Sequence, residues 1–212
     1  MIKKEKNKNK DFKSQILVIG SFLILIGLFI IGYHIYSDYN LKRIEKDNVQ
    51  EFFEEEQVVE DITQENKFVE VENKNISKTN YNYIAVLEIP KINIKRGLSQ
   101  EKYYNNGNVE ILKGSDMPNI SKGNFILAGH SGSGRVSYFK NLDKLVIGDI
   151  SYIYYGGIKY TYKVTNIYDI EKNGTALITR DLDKTTLTMI TCRHNTNKQI
   201  IVISELINQE NY

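Results

Sequence analysis

The spacing of apolar residues changes twice along this chain, and each change marks a different kind of structure. From residue 16 to residue 33 the stretch ILVIGSFLILIGLFIIGY runs for eighteen residues without a charge. As a helix it spans ~27 Å, close to the ~30 Å apolar core of a bilayer. A secretory h-region is ~7–15 residues and ends at a small-residue cleavage site. This run is longer, Tyr33-His34-Ile35-Tyr36 is a poor cleavage site, and Tyr33 and Tyr36 suit a membrane interface. The pattern predicts an uncleaved single-pass anchor over residues 14–36, with a cleaved signal peptide as the alternative.

Over residues 37–80 the apolar rhythm is lost. EFFEEEQVVEDITQENKFVEVENKN is acidic and shows no clear core pattern, so a solvated extracellular tether is expected. The alternative is a helical turn or two beside the membrane, carrying Leu41, Ile44, Val49, Phe52 and Phe53.

From residue 81 the pattern becomes short alternating or apolar runs, the mark of strands. YNYIAVLEIPKINIKRGL reads as a strand, a break at Pro90 and a second short strand. GNFILAGHSGSG reads as a buried strand over residues 125–128 that ends in a glycine-rich turn. SYFKNLDKLVIGD predicts a short helix closed by a Gly-Asp turn. ISYIYYGGIKYTYKVTNIYDI is a hairpin turning at Gly156 and Gly157, residues that tolerate positive φ. KTTLTMIT and QIIVISEL supply the last strands. The expectation is a mainly β domain over residues 81–212, about eight short strands closed into a barrel, with a sandwich as the competing architecture.

Composition adds location more than chemistry. Of 212 residues 41% are hydrophobic and 25% charged, and the net charge of +2 points to no partner class. Lys and Arg gather on no one predicted element, so no nucleic-acid surface is expected. The first thirteen residues hold six lysines against two acids. By the positive-inside rule residues 1–13 form a cytoplasmic basic tail, and everything past the span lies outside the membrane. No repeat, metal-ligand cluster or cofactor motif is present, and no cofactor, metal or calcium site is expected.

An exported chain with one cysteine invites a question, because exported cysteines usually pair. Cys192 can be a buried inert thiol, half of an intermolecular bridge, or a nucleophile. It ends the run TLTMITC, and His130 ends the run FILAGH beside glycines. Strand ends next to flexible turns commonly carry sites, and a thiol near neutral pH needs a base or a positive field to react. A histidine within hydrogen-bond reach supplies one or the other. From residue types alone, a core cysteine and a structural or solvated histidine are the favoured readings, and a joint catalytic reading is weak.

These motifs resemble the sortases. FILAGHSG followed by FKNLDKLVIGD is similar to the sortase histidine segment. TLTMITC is similar to the T-L-x-T-C signature, with Thr188, Met189 and Ile190 between Leu187 and Thr191. IAVLEIPKINIKRGL resembles the opening of the sortase barrel, and SDMPN falls in order before the histidine strand. The resemblance covers residues 81–207, and the anchor and tether agree with it. It implies an eight-stranded sortase-type barrel with short helices. It also implies a cysteine transpeptidase of a Gram-positive cell surface. Cys192 would cleave an LPXTG-like sorting signal through an acyl-thioester. His130 would protonate the leaving amine and deprotonate the incoming one, from a peptidoglycan cross-bridge or a pilin lysine.

The family also places an arginine on the strand after the cysteine, where NKQIIVISEL holds none. The aligned position falls at Lys198 or Gln199. Arg193, directly after the cysteine, is the expected stand-in, with Lys198, Arg135 and Arg96 as alternatives. His194 is read as a loop residue and His34 as part of the membrane interface. The short loop after Cys192 and the lack of a lid-like insertion place the chain nearer class B or D sortases than the pilin-polymerising kind. A non-catalytic peptide-binding barrel and a cysteine peptidase that releases product to water are the competing functions.

Overall fold

The computed structural model describes residues 2–64, 83–99, 108–134 and 136–212. Contacts divide the chain into Met1–Ile44 and Glu45–Tyr212. The helix α1 runs over Ile2–Gln64. In the first unit its apolar residues face outward all round: Leu17, Phe22, Leu25 and Phe29 are each more than 60% exposed. An 18-residue window has mean hydropathy 2.7 and no buried residue. A helix apolar on every side and buried on none is soluble only in lipid, so this segment is a candidate membrane span.

The second unit is an eight-stranded, mainly β barrel. Its strands are β1 (Ala85–Ile89), β2 (Ile94–Leu98), β3 (Glu110–Ile111), β4 (Asn124–Ala128), β5 (Ile150–Tyr155), β6 (Ile158–Glu171), β7 (Thr186–Cys192) and β8 (Lys198–Asn211). They hydrogen-bond in the order β2-β1-β5-β6-β8-β7-β4-β3. Every pairing is antiparallel except β4 with β7. The barrel is nearly closed: β2 and β3 are its edges, and the side chain of Asn108, two residues before β3, reaches β2. Asn108 Oδ1 accepts from Arg96 Nε at 2.6 Å, and its Nδ2 donates to the Gly97 carbonyl at 3.4 Å.

The period-two alternation sets the core. Leu87 and Ile89, Phe125 and Leu127, Tyr160, Tyr162 and Val164, Leu187 and Met189, and Ile200 and Val202 point inward and are buried. The Tyr162 hydroxyl is among them, and burial raises its pKa. A second apolar layer covers part of the outer face, where Ile190, Ile201 and Ile203 pack with Ile126, Tyr168, Ile170 and Ile178. β8 is therefore buried on both faces in its middle, which explains why IIVI is continuously apolar. The hairpin turns at Gly156 and Gly157 with φ of 60° and 71°, as the two-residue turn requires.

Two expectations differ. Residues 137–149 form no α-helix. Successive N–H groups bond three residues back, Leu142 to Phe139 and Leu145 to Leu142 at 3.0 and 3.2 Å, and only Leu142–Lys144 is a 3₁₀ turn. Phe139, Leu142 and Leu145 are buried, and their spacing of three is the 3₁₀ period, which stacks them on one side. The acidic stretch expected as a tether is also helical, to Gln64. Over residues 45–56 it docks on the barrel: Val49 and Phe52 bury against Val86, beside Tyr83 and Tyr154. Phe53 meets Tyr154 and Tyr212 edge-on at 5.0 and 5.3 Å. Two of its acids, Glu45 and Glu56, are partners of the barrel, while Asp47, Glu54 and Glu55 face solvent. Glu45 accepts from the Tyr83 hydroxyl and the Gly97 N–H, each at 2.9 Å, and lies 3.4 Å from Arg96. Glu56 accepts from Gly156 N–H at 2.9 Å. Burial, then the Glu45 carboxylate, raises the pKa of Tyr83.

Candidate active site

The one parallel pairing positions the thiol and the histidine. β4 and β7 run in register from Asn124 opposite Thr186 to Ala128 opposite Ile190. The Gly129 N–H continues the ladder to the Ile190 carbonyl at 3.1 Å, and the Thr191 hydroxyl donates to the Gly129 carbonyl at 2.6 Å. Extended two residues past its last pair, the same offset aligns position 130, on the loop after β4, with position 192 at the end of β7. The base of the seam is fixed as well: Asn124 Oδ1 accepts from the hydroxyls of Thr186 and Thr188 at 3.0 and 2.8 Å.

Gly129 is required by packing. A Cβ there would stand 2.9 Å from the Phe139 ring, whose residue also donates its N–H to the His130 carbonyl at 3.0 Å. The phenylalanine thus holds the histidine loop against the end of β7. Cys192 is half-buried and unpaired in any disulfide. It borders a small recess with Ser131, Phe139, Thr191, Arg193 and His194. His130 is exposed. A half-exposed thiol at a strand end can attack a carbonyl carbon, and a histidine within hydrogen-bond reach can exchange a proton with the leaving group.

Two of the cations expected to assist, Arg193 and Arg96, are engaged elsewhere. Arg193 Nε donates to Asp169 on β6 at 2.6 Å, a contact no local sequence signal announces because the two lie 24 residues apart. Arg96 is held by Asn108 and Glu45, and its guanidinium carbon lies 3.4 Å from the Tyr138 ring centroid. Lys198 opens β8 and is exposed. Arg135 lies outside the described residues. His194 is exposed, and His34, in the other unit, lies 3.4 Å from Asp38. Gln199 stands directly opposite Cys192.

Known proteins share this fold. The family model described as the sortase domain matches residues 87–207. Sortase A of Bacillus anthracis is 26% identical over 202 residues, covering 90% of this chain and 93% of that protein. Among solved structures, a sortase D5 transpeptidase of Clostridium perfringens superposes with a TM-score of 0.52 at 27% identity, over 59% of this chain and 79% of that one. Sortase C1 of Streptococcus agalactiae gives 0.51 at 26%, over 59% and 68%. The family model spans more than half of the chain, so the chain belongs to the sortase family, cysteine transpeptidases that attach proteins to the cell wall.

Proposed function

We propose that this chain is a membrane-anchored sortase that cleaves an LPXTG-like sorting signal on Cys192 and passes the acyl group to an amine of the peptidoglycan cross-bridge or of a pilin. The observation that supports the reading is the parallel β4–β7 register, whose offset, continued two residues past Ala128 and Ile190, aligns positions 130 and 192. The Cys192 thiolate attacks the scissile carbonyl carbon. The C–N bond breaks, the leaving amine takes a proton from His130, and an acyl-thioester remains. The acceptor amine attacks that thioester, His130 takes its proton, and Cys192 leaves as thiolate. One amide is exchanged for another through a thioester, so no nucleotide is consumed. Arg193 is the third residue the sequence marks for the site.

The candidate span and the lysines before it support a cytoplasmic N-terminus and an extracellular barrel. Intact-mass spectrometry of the full chain in detergent tests the reading, with LPXTG-like peptides and with or without an added amine. An adduct on Cys192 that the amine discharges supports it, and Cys192→Ala should abolish the adduct while the barrel stays folded. Discharge by water at the same rate with and without amine would instead identify a peptidase.

A further inference from the structure

Attack of a thiolate on a carbonyl builds negative charge on the carbonyl oxygen, and a donor aimed at that oxygen lowers the barrier. The donor must share the face of the sheet on which the Cys192 side chain lies. Side chains alternate along a strand, and directly opposed residues share a face. Arg193 N–H bonds to the Lys198 carbonyl at 2.8 Å, and Leu206 N–H to the Thr185 carbonyl at 2.9 Å. In an antiparallel ladder the pairs between hydrogen-bonded ones bring their side chains closest. Cys192 and Gln199 form such a pair. Arg193 and Lys198 fall on the opposite parity, and Arg193 follows it by reaching Asp169, which pairs with the inward-facing Ile200. Ile170, the next residue across on the Cys192 face, is apolar. Gln199 is half-buried, and its amide makes no hydrogen bond among the described residues.

We infer that the neutral side-chain amide of Gln199, rather than a cation, donates to the oxyanion formed at Cys192. Arg193 is a positioning residue: its bond to Asp169 ties the end of β7 across β8 to β6. An amide is sufficient for this chemistry, since a single side-chain amide donor contributes ~10²–10³-fold to acyl transfer elsewhere. The inference deepens the proposed transpeptidase reading, but its test uses a carbonyl without a sorting signal, so that each can fail alone.

Two reactions of Cys192 separate the role. With p-nitrophenyl acetate, sulfur bonds to the carbonyl carbon, an oxyanion forms, and p-nitrophenolate leaves. With iodoacetamide, sulfur displaces iodide from a saturated carbon and no oxyanion forms. Gln199→Ala should slow acylation by ~10-fold or more and leave alkylation within about two-fold. Gln199→Glu, of equal size but without donors, should match it, and Gln199→Arg should restore acylation. Arg193→Ala should move both reactions together. An unchanged ratio of acylation to alkylation in Gln199→Ala overturns the inference. So does a selective loss of acylation in Arg193→Ala or Lys198→Ala. Acetylation without peptide cleavage would count against the sorting-signal reading and leave Gln199 to be judged on the ester.

Discussion

The barrel holds its site and its helix by different means. At the β4–β7 seam the backbone does the placing: a parallel ladder sets Ala128 opposite Ile190, two residues before His130 on one segment and Cys192 on the other. On the β1–β5 side the segment 45–56 has no ladder at all. Side chains hold it, with Val49 and Phe52 in an apolar patch and Glu45 and Glu56 each accepting a backbone N–H. A ladder fixes position in steps of one residue, and its failure displaces everything downstream. A side-chain interface fixes it by the sum of separable contacts, each of which can be removed at moderate cost. Damage at the seam should therefore appear in activity, and damage under the helix in stability.

The sharpest break is Gly129→Val. The added atoms meet the Phe139 ring, and either that ring or the histidine loop must move. Displacing a catalytic group by about an ångström costs on the order of 10²-fold in rate. Acyl-enzyme formation should fall by that much while the thermal midpoint falls by only a few degrees. Loss of folding in step with loss of activity would show that the seam is a structural joint and nothing more.

Phe52→Ala should show the opposite signature. Phe52 is 8% exposed and packs against Val86 and Phe53. Its loss should cost about 2 kcal/mol of barrel stability in urea titration, near the low end for a buried aromatic because its cluster is small. Acylation of Cys192 should stay within about two-fold. A matching loss of activity would mean that the helix is coupled to the site, and the comparison would fail.

The same difference explains what could be read from sequence. Alternation in residues 150–171 and the paired glycines determine the hairpin locally, so it was legible. Cys192 and His130 were legible as strand ends, and their separation of 62 residues matches the ladder's constant offset, as in Ala128 and Ile190. The helical segment was legible only as the alternative to a tether, a turn or two carrying Val49, Phe52 and Phe53, and its docking was not. Val49, Phe52 and Phe53 sit among acids that look solvated until Tyr83, Gly97 and the turn at Gly156 supply donors from distant strands. The Arg193–Asp169 pair and the pairing of Cys192 with Gln199 belong to the same class, because they exist only once β6, β7 and β8 are registered. Residues 137–149 carried a helical rhythm, but one of period three, and the structure uses it as 3₁₀ turns.

Glu45→Ala removes a smaller share of the helix interface, and it removes it as polar contacts. The Gly97 N–H loses its acceptor on edge strand β2, and Tyr83 and Arg96 each lose a partner. Leaving such groups part-buried and unsatisfied costs about 1–3 kcal/mol. If Glu45 acted only as a surface charge, Glu45→Gln would equal Glu45→Ala. If it acts as an acceptor, Glu45→Gln should recover part of the loss, because its amide oxygen still receives a hydrogen bond.

The smallest effect tests whether charge contributes to stability beyond the helix. Asp149 closes the turn after residue 145, where burial alone would raise its pKa. The hydrogen bond from Lys91 at 2.8 Å and the Val146 N–H at 2.7 Å outweigh that and lower it. A carboxylate whose folded pKa lies below its unfolded value of ~3.9 stabilises the fold above that value. The contribution disappears as pH falls through the folded pKa. The pair is partly exposed, at 41% and 17% for the two side chains, so solvent holds it to under ~1 kcal/mol. Asp149→Asn should therefore lower stability slightly at pH 7, and its difference from wild type should vanish as the pH falls through the lowered folded pKa. A deficit that persists unchanged at low pH would place the effect in the side-chain hydrogen bond that Asp149 accepts from the Val146 N–H rather than in the charge.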